Sequence, residues 1–447
     1  MKLTIAIPYL SISRESVFRD GLGKFLGLLI DGILLHDDEI EIEIWSFSQG
    51  VEGMKKLFEK NFKENKCRIS IINDFDFYQT THSYKRKVKL GKTIEEIKRE
   101  YEGRCDHKRS VLEKILKRVV MIRQRRYLVK AVKSRSKADF VYYNSPCFLP
   151  LLSIIKPTLV QIHDLFTMQY ERLFVRNSKR YFFTNKAVSF WLGIQGVLGA
   201  HFVSSSYNTL NNQVLKYIPL IKKERTHIIR FPAMVKNYEG MVNFSKEDFC
   251  KKYGIVGPYI AYPTQNRPNK NIITLLKSLD ILCNEGINVK LVITGKFNDV
   301  KDCANYIESN PKLLDNLVET GNLSEEELYF LYKCSDMVVS TSFVEGGCIS
   351  GQVLEALKIG DIPVIHALSD GIDEWLDVHG FNRKTADMNW FDRFDYMNLA
   401  LLIKDVLINR NSHVVKQKHI FEELDDPTWE DVGCKYLELF SKIIHER

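Results

Sequence analysis

The feature that most constrains the fold of this chain is a repeated alternation of short apolar runs with longer stretches of helical periodicity. The strand-like runs are residues 4–7, 40–47, 68–73, 139–143, 159–162, 201–203 and 227–229 in the first half, and 259–262, 289–294, 337–340 and 362–366 in the second. Such alternation favours parallel sheets with helices on both faces. We predict an α/β fold of two doubly wound, Rossmann-like domains that face each other across a cleft.

The length agrees with two domains and one appended element, because 447 residues at about 150 residues per domain give two or three. We predict an N-terminal domain over residues 1–240 and a second domain over residues 241–420. The remaining segment, 421–447, contains an amphipathic helix at Pro427–Glu446.

Composition excludes several classes of protein. With 45% hydrophobic and 27% charged residues, the chain is neither disordered nor collagen-like nor a disulfide scaffold. Nine scattered cysteines form no Cys-x-x-Cys pair, which favours a reducing compartment over a paired metal site. Residues 1–10 lack a cleavage-site pattern, and residues 187–215 are uncharged but interrupted by polar positions. We therefore expect a cytoplasmic protein without a signal peptide or a membrane helix.

The net charge of +8 is concentrated in one segment. Residues 85–137 hold 20 Lys and Arg against 6 Asp and Glu, a local net charge of +14 that leaves −6 for the rest of the chain. Periodicity predicts a helix over about 108–136, with one apolar and one basic face. The basic face has three open interpretations: a solvated surface, a contact with an anionic membrane, or a site for an anionic ligand.

The first candidate site is the polar segment 262–271, which follows a strand and opens a helix. Free N–H groups at a helix N-terminus attract anions, and Arg267 and Lys270 add two cations. This combination suits a diphosphate.

The second candidate site is the segment 342–356, between a strand and the next helix. Its glycines, Gly346 and Gly347, allow backbone N–H groups to approach a phosphate. Glu345 and Glu355 could each accept hydrogen bonds from sugar hydroxyls.

Taken in order, the motifs between about Pro258 and Ile365 resemble the nucleotide-sugar-binding half of GT-B glycosyltransferases of family 4, a retaining group. The matching pieces are Lys270-Asn271, Thr294-Gly295, Ser324–Leu328, Ser342–Gly346, Glu355-Ala356 and Gly360–Ile365. Weaker similarities to the family occur in the first half, at Asp20–Gly23, Val160–Leu165 and Val203–Ser206. In this family the last helix crosses back to the N-terminal domain, and the resemblance implies the same for residues 421–447.

The resemblance implies transfer of a sugar from a nucleotide sugar, with retention of configuration and without a metal. Lys270, helped by Arg267, is expected to neutralise the donor diphosphate as it leaves. Glu345 is expected beside the donor sugar hydroxyls. His163 is expected at the reaction centre, near the sugar and the acceptor. The alternative is a structural histidine whose hydrogen bonds are made within the core.

The resemblance also assigns the remaining donor contacts. Glu355 is expected to hold the ribose hydroxyls, while Gly346 and Gly347 offer backbone N–H groups. Gly21 and Gly23 are expected to let the loop after the first strand approach the phosphates, and an ordinary turn is the alternative for these two glycines.

Three departures from the family pattern bear on these roles. Glu345 and Glu355 are separated by nine residues where the family has seven, which predicts either a bulge or a shifted role for Glu345. Gln265 stands where the family has an arginine, and Arg267 is the candidate substitute. Pro263 replaces the usual glycine.

The resemblance leads us to expect a hexosyltransferase that uses a UDP- or GDP-sugar and no further cofactor. Its acceptor would be a glycan or lipid-linked saccharide, as in polysaccharide or lipopolysaccharide synthesis, with residues 85–137 on the cytoplasmic membrane face. The D-x-D at 74–76 is far in sequence from the donor motifs, so no metal is expected.

Two alternatives stay open: a nucleotide-sugar epimerase of the same fold, and a protein that binds nucleic acid through residues 85–137. That segment has few aromatic residues for base stacking, so no nucleic-acid partner is expected.

Overall fold

A computed structural model describes residues 3–9, 21–36, 39–46, 68–72, 131–144, 157–165, 197–234 and 245–445, apart from 199, 385 and 424–425, and with residues 55 and 59 described singly. The predicted fold class is confirmed, because these residues form two parallel sheets flanked by helices. The N-terminal elements are β1 (Leu3–Tyr9), α1 (Gly21–His36), β2 (Ile40–Ser46), β3 (Ile69–Ile72), β4 (Phe140–Tyr143), β5 (Thr158–Gln161), β6 (Phe202–Ser205), α2 (Asn208–Tyr217) and β7 (Thr226–Ile228).

The second half contains six strands and the helices between them. In chain order its elements are α3 (Lys246–Tyr253), β8 (Tyr259–Tyr262), α4 (Ile272–Asn284), β9 (Lys290–Ile293), α5 (Lys301–Ser309), β10 (Leu317–Glu319), α6 (Glu325–Lys333), β11 (Met337–Ser340), α7 (Gly351–Ile359), β12 (Val364–Ala367), α8 (Ile372–Val378), β13 (Asn389–Phe391), α9 (Tyr396–Glu423) and α10 (Trp429–His445).

Both sheets have the strand order of a Rossmann fold. The first runs β3-β2-β1-β4-β5-β6-β7 and the second β10-β9-β8-β11-β12-β13, with neighbouring strands parallel. The strand order reverses between β1 and β4 in one sheet and between β8 and β11 in the other. Ligands of open α/β sheets bind beyond the carboxyl ends of the strands at such a reversal. Lys270 and Glu345 lie on the chain segments that leave β8 and β11, the two strands at the reversal in the second sheet.

Local sequence explains these elements. The four residues of each of β4, β5, β8, β11 and β12 are all buried, as expected for parallel strands covered on both faces. At the start of α6, the Ser324 hydroxyl accepts from the Glu327 amide at 3.1 Å, and the Glu327 carboxylate accepts from the Ser324 amide at 2.8 Å. These reciprocal bonds form a capping box, whose sequence signature is a serine followed three residues later by a glutamate.

The last helix packs on the first. Val432, Tyr436 and Phe440 of α10 join the hydrophobic core under the N-terminal sheet. Two glycines allow the close approach, since a β-carbon on Gly433 would lie 2.4 Å from the carbonyl carbon of Gly32. The helix expected at Pro427–Glu446 therefore runs from Trp429 to His445 and returns to the N-terminal domain. The predicted domain limits stay predictions, because 235–244 and 424–425 lie outside the described residues.

One local prediction was wrong. We expected a loop containing Gly21 and Gly23 and a helix from about residue 24, but α1 already begins at Gly21. Both glycines therefore lie in the first turn of the helix, where backbone N–H groups still lack intrahelical partners. The sequence also did not reveal the short strands β10 and β13 or the helices α5, α8 and α9.

Several predicted features fall on residues outside the described part of the chain. The D-x-D at 74–76 is one of them, as is most of the basic segment 85–137. Of the helix predicted over about 108–136, only residues 131–136 are described; 131–135 are helical and 136 is not. No helix among the described residues is both long and apolar enough to cross a membrane.

Candidate functional site

The structure brings Lys270 and Glu345 together. Lys270 ends a 3₁₀ turn (Pro268–Lys270) after β8, and Glu345 lies on the loop after β11. The Lys270 Nζ and the Glu345 Oε1 are 2.6 Å apart, with 15% of each side chain exposed. Burial disfavours the ammonium ion, but the Glu345 carboxylate and Tyr262 outweigh it and raise the pKa of Lys270 above its ordinary value. The pair is therefore a charged, largely desolvated ion pair at neutral pH.

Hydrogen bonds to the backbone hold the Lys270 turn against the Glu345 loop. The Lys270 carbonyl accepts from the Tyr262 hydroxyl at 3.0 Å and from the Thr341 hydroxyl at 2.7 Å. The Phe343 amide donates to the Asn269 carbonyl at 3.2 Å. Sequence reasoning missed Tyr262 and Thr341. The position of Tyr262 could have indicated this role, because the hydroxyl of a tyrosine at the end of a buried strand needs a polar partner.

Asn271 turns the chain from the Lys270 turn into α4. It has a left-handed backbone with φ of 50°, which asparagine tolerates better than most residues. Its side-chain amide donates to the Arg393 carbonyl at 2.7 Å. The Arg393 guanidinium donates to the Phe343 carbonyl and to the Asp370 carboxylate, both at 3.2 Å. The loops after β8 and β11 are thereby tied to the chain after β13.

Arg267 lies beside Gln265, the residue that stands where the family has an arginine. Its guanidinium donates to the Gln265 Oε1 at 2.7 Å, and both residues are exposed. Arg267 is close enough to Lys270 for its charge to act against the raised pKa of Lys270. A second cation thus lies near the ion pair but outside it.

The segment between Glu345 and Glu355 makes a tight turn before α7. Cys348 has a left-handed φ of 66°, and the Ile349 amide donates to the Gly347 carbonyl at 2.7 Å. This turn takes up the additional length, while Glu345 still faces Lys270.

His163 meets the Glu345 loop from the other domain. A β-carbon on Gly346 would lie 1.4 Å from the His163 carbonyl oxygen, so only glycine fits. The His163 Nε2 lies 3.2 Å from the Asn144 Oδ1, and the ring packs edge-on against Phe25 at 4.6 Å. Burial lowers the pKa of His163 to about 4, against a hydrogen bond to Asn144 that raises it. His163 is therefore neutral at pH 7. Its ring contacts Asn144 and Phe25, and its carbonyl oxygen lies against Gly346.

Glu355 lies on α7, away from the Lys270 pair. Its carboxylate accepts from the Tyr332 hydroxyl at 2.5 Å. Burial raises the pKa of Glu355, and the charge of Lys24 on α1 acts in the opposite direction. Of the predicted glycines in that first turn, Gly23 is buried and Gly21 is exposed, with nothing within 4 Å of its β position.

His366 is a residue near the site that sequence reasoning missed. It is fully buried on β12, and its Nε2 accepts from the Ser350 amide, the N-cap of α7, at 3.0 Å. Burial lowers the pKa of His366 to about 4, so the ring stays neutral and keeps this acceptor. A histidine within an otherwise apolar strand was the available signal.

Two Rossmann-type sheets, with a lysine, two glutamates and glycine-rich turns on the chain segments that leave their strands, form the GT-B fold. Residues 246–419 match the family model of glycosyl transferases group 1. The second half of this chain is thus similar to group 1 glycosyltransferases, and the resemblance predicted from the sequence is confirmed.

Solved structures with the same fold span the chain. Sucrose-phosphate synthase from Thermosynechococcus elongatus is 13% identical with a TM-score of 0.64, covering 100% of both chains. HepE from Anabaena, solved with UDP and glucose, is 14% identical with a TM-score of 0.61, over 98% of this chain and 100% of HepE. WaaG, a glycosyltransferase involved in lipopolysaccharide biosynthesis, is 11% identical with a TM-score of 0.61, over 97% and 99%. No curated protein matches in sequence.

Proposed function

We propose that this protein is a retaining glycosyltransferase that moves a hexosyl group from a nucleotide sugar to a glycan or lipid-linked saccharide. The observation that carries the proposal is the desolvated pair of Lys270 and Glu345, beside the contact between Gly346 and His163. A cation, a sugar-binding carboxylate and a neutral histidine then meet where the two sheets face each other. The group 1 family match supports the chemistry.

The proposed donor step uses protein charges and no metal ion. A donor diphosphate would compete with Glu345 for Lys270, since both are anions that the ammonium group binds. Glu345, released from the pair, would accept from the sugar hydroxyls. Lys270 and the nearby Arg267 would then stabilise the charge that develops on the departing diphosphate. The Anabaena structure contains UDP and glucose, which supports a UDP-sugar; a GDP-sugar is equally compatible with these cations.

The proposed acceptor is a growing polysaccharide or lipopolysaccharide, and the involvement of WaaG in lipopolysaccharide biosynthesis supports this choice. Residues 85–137 would hold the enzyme at the anionic cytoplasmic face of the membrane through their net +14 charge. Co-sedimentation with vesicles containing anionic lipid tests this part. Neutralising Arg123, Arg125 and Arg126 should abolish binding, whereas neutralising Lys216, Lys222 and Lys223 should not; unchanged binding by the arginine variant would contradict it.

The transfer reaction is tested by a donor panel. Thermal shifts with UDP-, GDP-, ADP- and dTDP-sugars identify the nucleotide, because a bound ligand stabilises the protein by an amount that grows with its concentration over Kd. Proton NMR of the sugar released or transferred from that donor then reads its anomeric configuration. Retention supports the proposal. Inversion would contradict the retaining mechanism, and an epimerised donor without transfer would favour an epimerase.

A further inference from the structure

We propose that Asn144 is a positioning residue, which fixes the tautomer of His163 and the position of its ring relative to the first turn of α1. This inference rests on the proposed function, because it concerns the histidine expected at the reaction centre. Nothing in the sequence pattern had assigned a role to Asn144, which directly follows β4 and is 5% exposed.

The orientation of the Asn144 amide follows from its partners. Its Nδ2 donates to the Leu22 carbonyl at 2.8 Å, and a carbonyl oxygen accepts only from a donor. The other end of the amide, Oδ1, must therefore face His163, at 3.2 Å from Nε2. The Tyr142 hydroxyl donates to the same Oδ1 at 3.3 Å. Because Oδ1 is only an acceptor, the His163 Nε2 must carry the proton.

Two consequences follow for the site. The neutral ring has Nε2–H engaged with Asn144, so Nδ1 is the acceptor nitrogen, suited to a hydroxyl of the donor sugar or acceptor and unsuited to a carboxylate. Leu22 lies between Gly21 and Gly23, so the same amide links the predicted phosphate turn to His163. A single buried side chain after β4 thus joins the first turn of α1 to the loop after β5.

The tautomer can be measured directly. In protein labelled with ¹⁵N-histidine, long-range ¹H–¹⁵N correlation spectra distinguish Nε2–H from Nδ1–H, and His163→Gln assigns the signal. We expect Nε2–H in the wild-type protein and a shift towards Nδ1–H in Asn144→Ala. Tyr142→Phe, which removes only the second hydrogen bond to Oδ1, should keep Nε2–H. Nδ1–H in the wild-type protein, which needs no variant to fold, would overturn the proposal, as would an unchanged signal in Asn144→Ala.

Kinetics separate a positioning role from a structural one. Asn144→Ala should lower kcat roughly tenfold or more, less than the roughly 10²–10⁴ of a general acid–base group because Asn144 acts only through His163, with a smaller change in KM for the donor. Asn144→Asp retains an acceptor for Nε2–H but loses the donor to the Leu22 carbonyl, so it should keep the proton on Nε2 while loosening the link to α1. The NMR result does not depend on sugar transfer. Correct tautomers without transfer would defeat the proposed function alone, whereas transfer with Nδ1–H would defeat the role of Asn144 alone.

Discussion

Gly346 packs so tightly against His163 that a β-carbon at position 346 would lie 1.4 Å from the His163 carbonyl oxygen. The contact joins the loop after β11 in one domain to the loop after β5 in the other. It brings the backbone of Gly346, which directly follows Glu345, against the backbone of His163. The family pattern explains a glycine here by phosphate binding, and the structure adds a steric reason.

This contact predicts opposite outcomes at two adjacent glycines. Gly346→Ala should prevent the two loops from meeting and lower turnover by roughly a hundredfold, the scale for a displaced catalytic group. Gly347→Ala is the matched control, because its β-carbon would lie 3.5 Å from the nearest atom, the Ile349 carbonyl oxygen. Steady-state kinetics of both variants check this. Equal activities would show that the contact does not matter for catalysis.

A second interdomain contact predicts a difference in hydrogen exchange. Both carboxylate oxygens of Glu374 on α8 accept from the backbone at the start of α2, from the Asn208 and Thr209 amides at 2.6 Å each. The N-cap of that helix, Tyr207, supplies no side-chain cap, so Glu374 takes its place. Glu374→Gln should make these two amides exchange faster. Asp373→Asn, which removes the adjacent exposed carboxylate, should leave their exchange unchanged; the reverse pattern would refute the cap.

Two buried histidines predict that the protein loses stability in mild acid. The pKa of His163 and of His366 is lowered to about 4 by burial, whereas an unfolded histidine titrates near 6.5. Between about pH 6.5 and 4 the unfolded chain therefore binds protons that the folded chain does not. The free energy of unfolding should fall as the pH is lowered through this window.

Urea unfolding at pH 7, 6 and 5 measures this dependence. His366→Gln should flatten it, because one of the two linked protons is removed. Replacing the exposed His445 by glutamine should leave the slope as in the wild-type protein. A slope that does not respond to His366→Gln would show that other groups cause the acid sensitivity.

Tyr332 predicts a smaller effect on nucleotide binding. Its hydroxyl donates to the Glu355 carboxylate at 2.5 Å, so Tyr332→Phe removes the bond that orients the proposed ribose ligand. Nucleoside diphosphate affinity should fall roughly tenfold, the lower end of the about 1.5–3 kcal/mol that a hydrogen bond to a charged group contributes. Binding of inorganic pyrophosphate, which lacks a ribose, is the control and should not change. Titration calorimetry with both ligands decides the role of Glu355.

The fold was predictable because its evidence is periodic. The buried strands read as runs such as Tyr259–Tyr262, and their alternation with helices specifies parallel sheets. The motifs of the second half also fell on the expected loops. Short elements such as β10 and β13 were missed because three residues carry too little pattern.

Side-chain partnerships were the part that the sequence could not supply. The sequence suggested Lys270 and Glu345 as separate ligands, but it contained no sign that they pair at 2.6 Å. The roles of Tyr262 and Asn144 depend on residues 8 and 19 or more positions away, brought close only by the sheets. The start of α1 at Gly21 was misjudged, because glycine predicts a loop unless tertiary contacts override that preference.

The most direct test of the account is the turnover of the preferred nucleotide sugar by the wild-type protein, Lys270→Ala and Lys277→Ala. Lys277 on α4 lies over the Tyr396 ring at 5.3 Å and has no role in the proposed site, which makes it a matched control. We predict that Lys270→Ala releases nucleoside diphosphate roughly a hundredfold or more slowly, as expected for loss of a positioned charge, and that Lys277→Ala matches the wild-type protein. Wild-type turnover by Lys270→Ala, or no turnover of any of the four donors by the wild-type protein, would contradict the account.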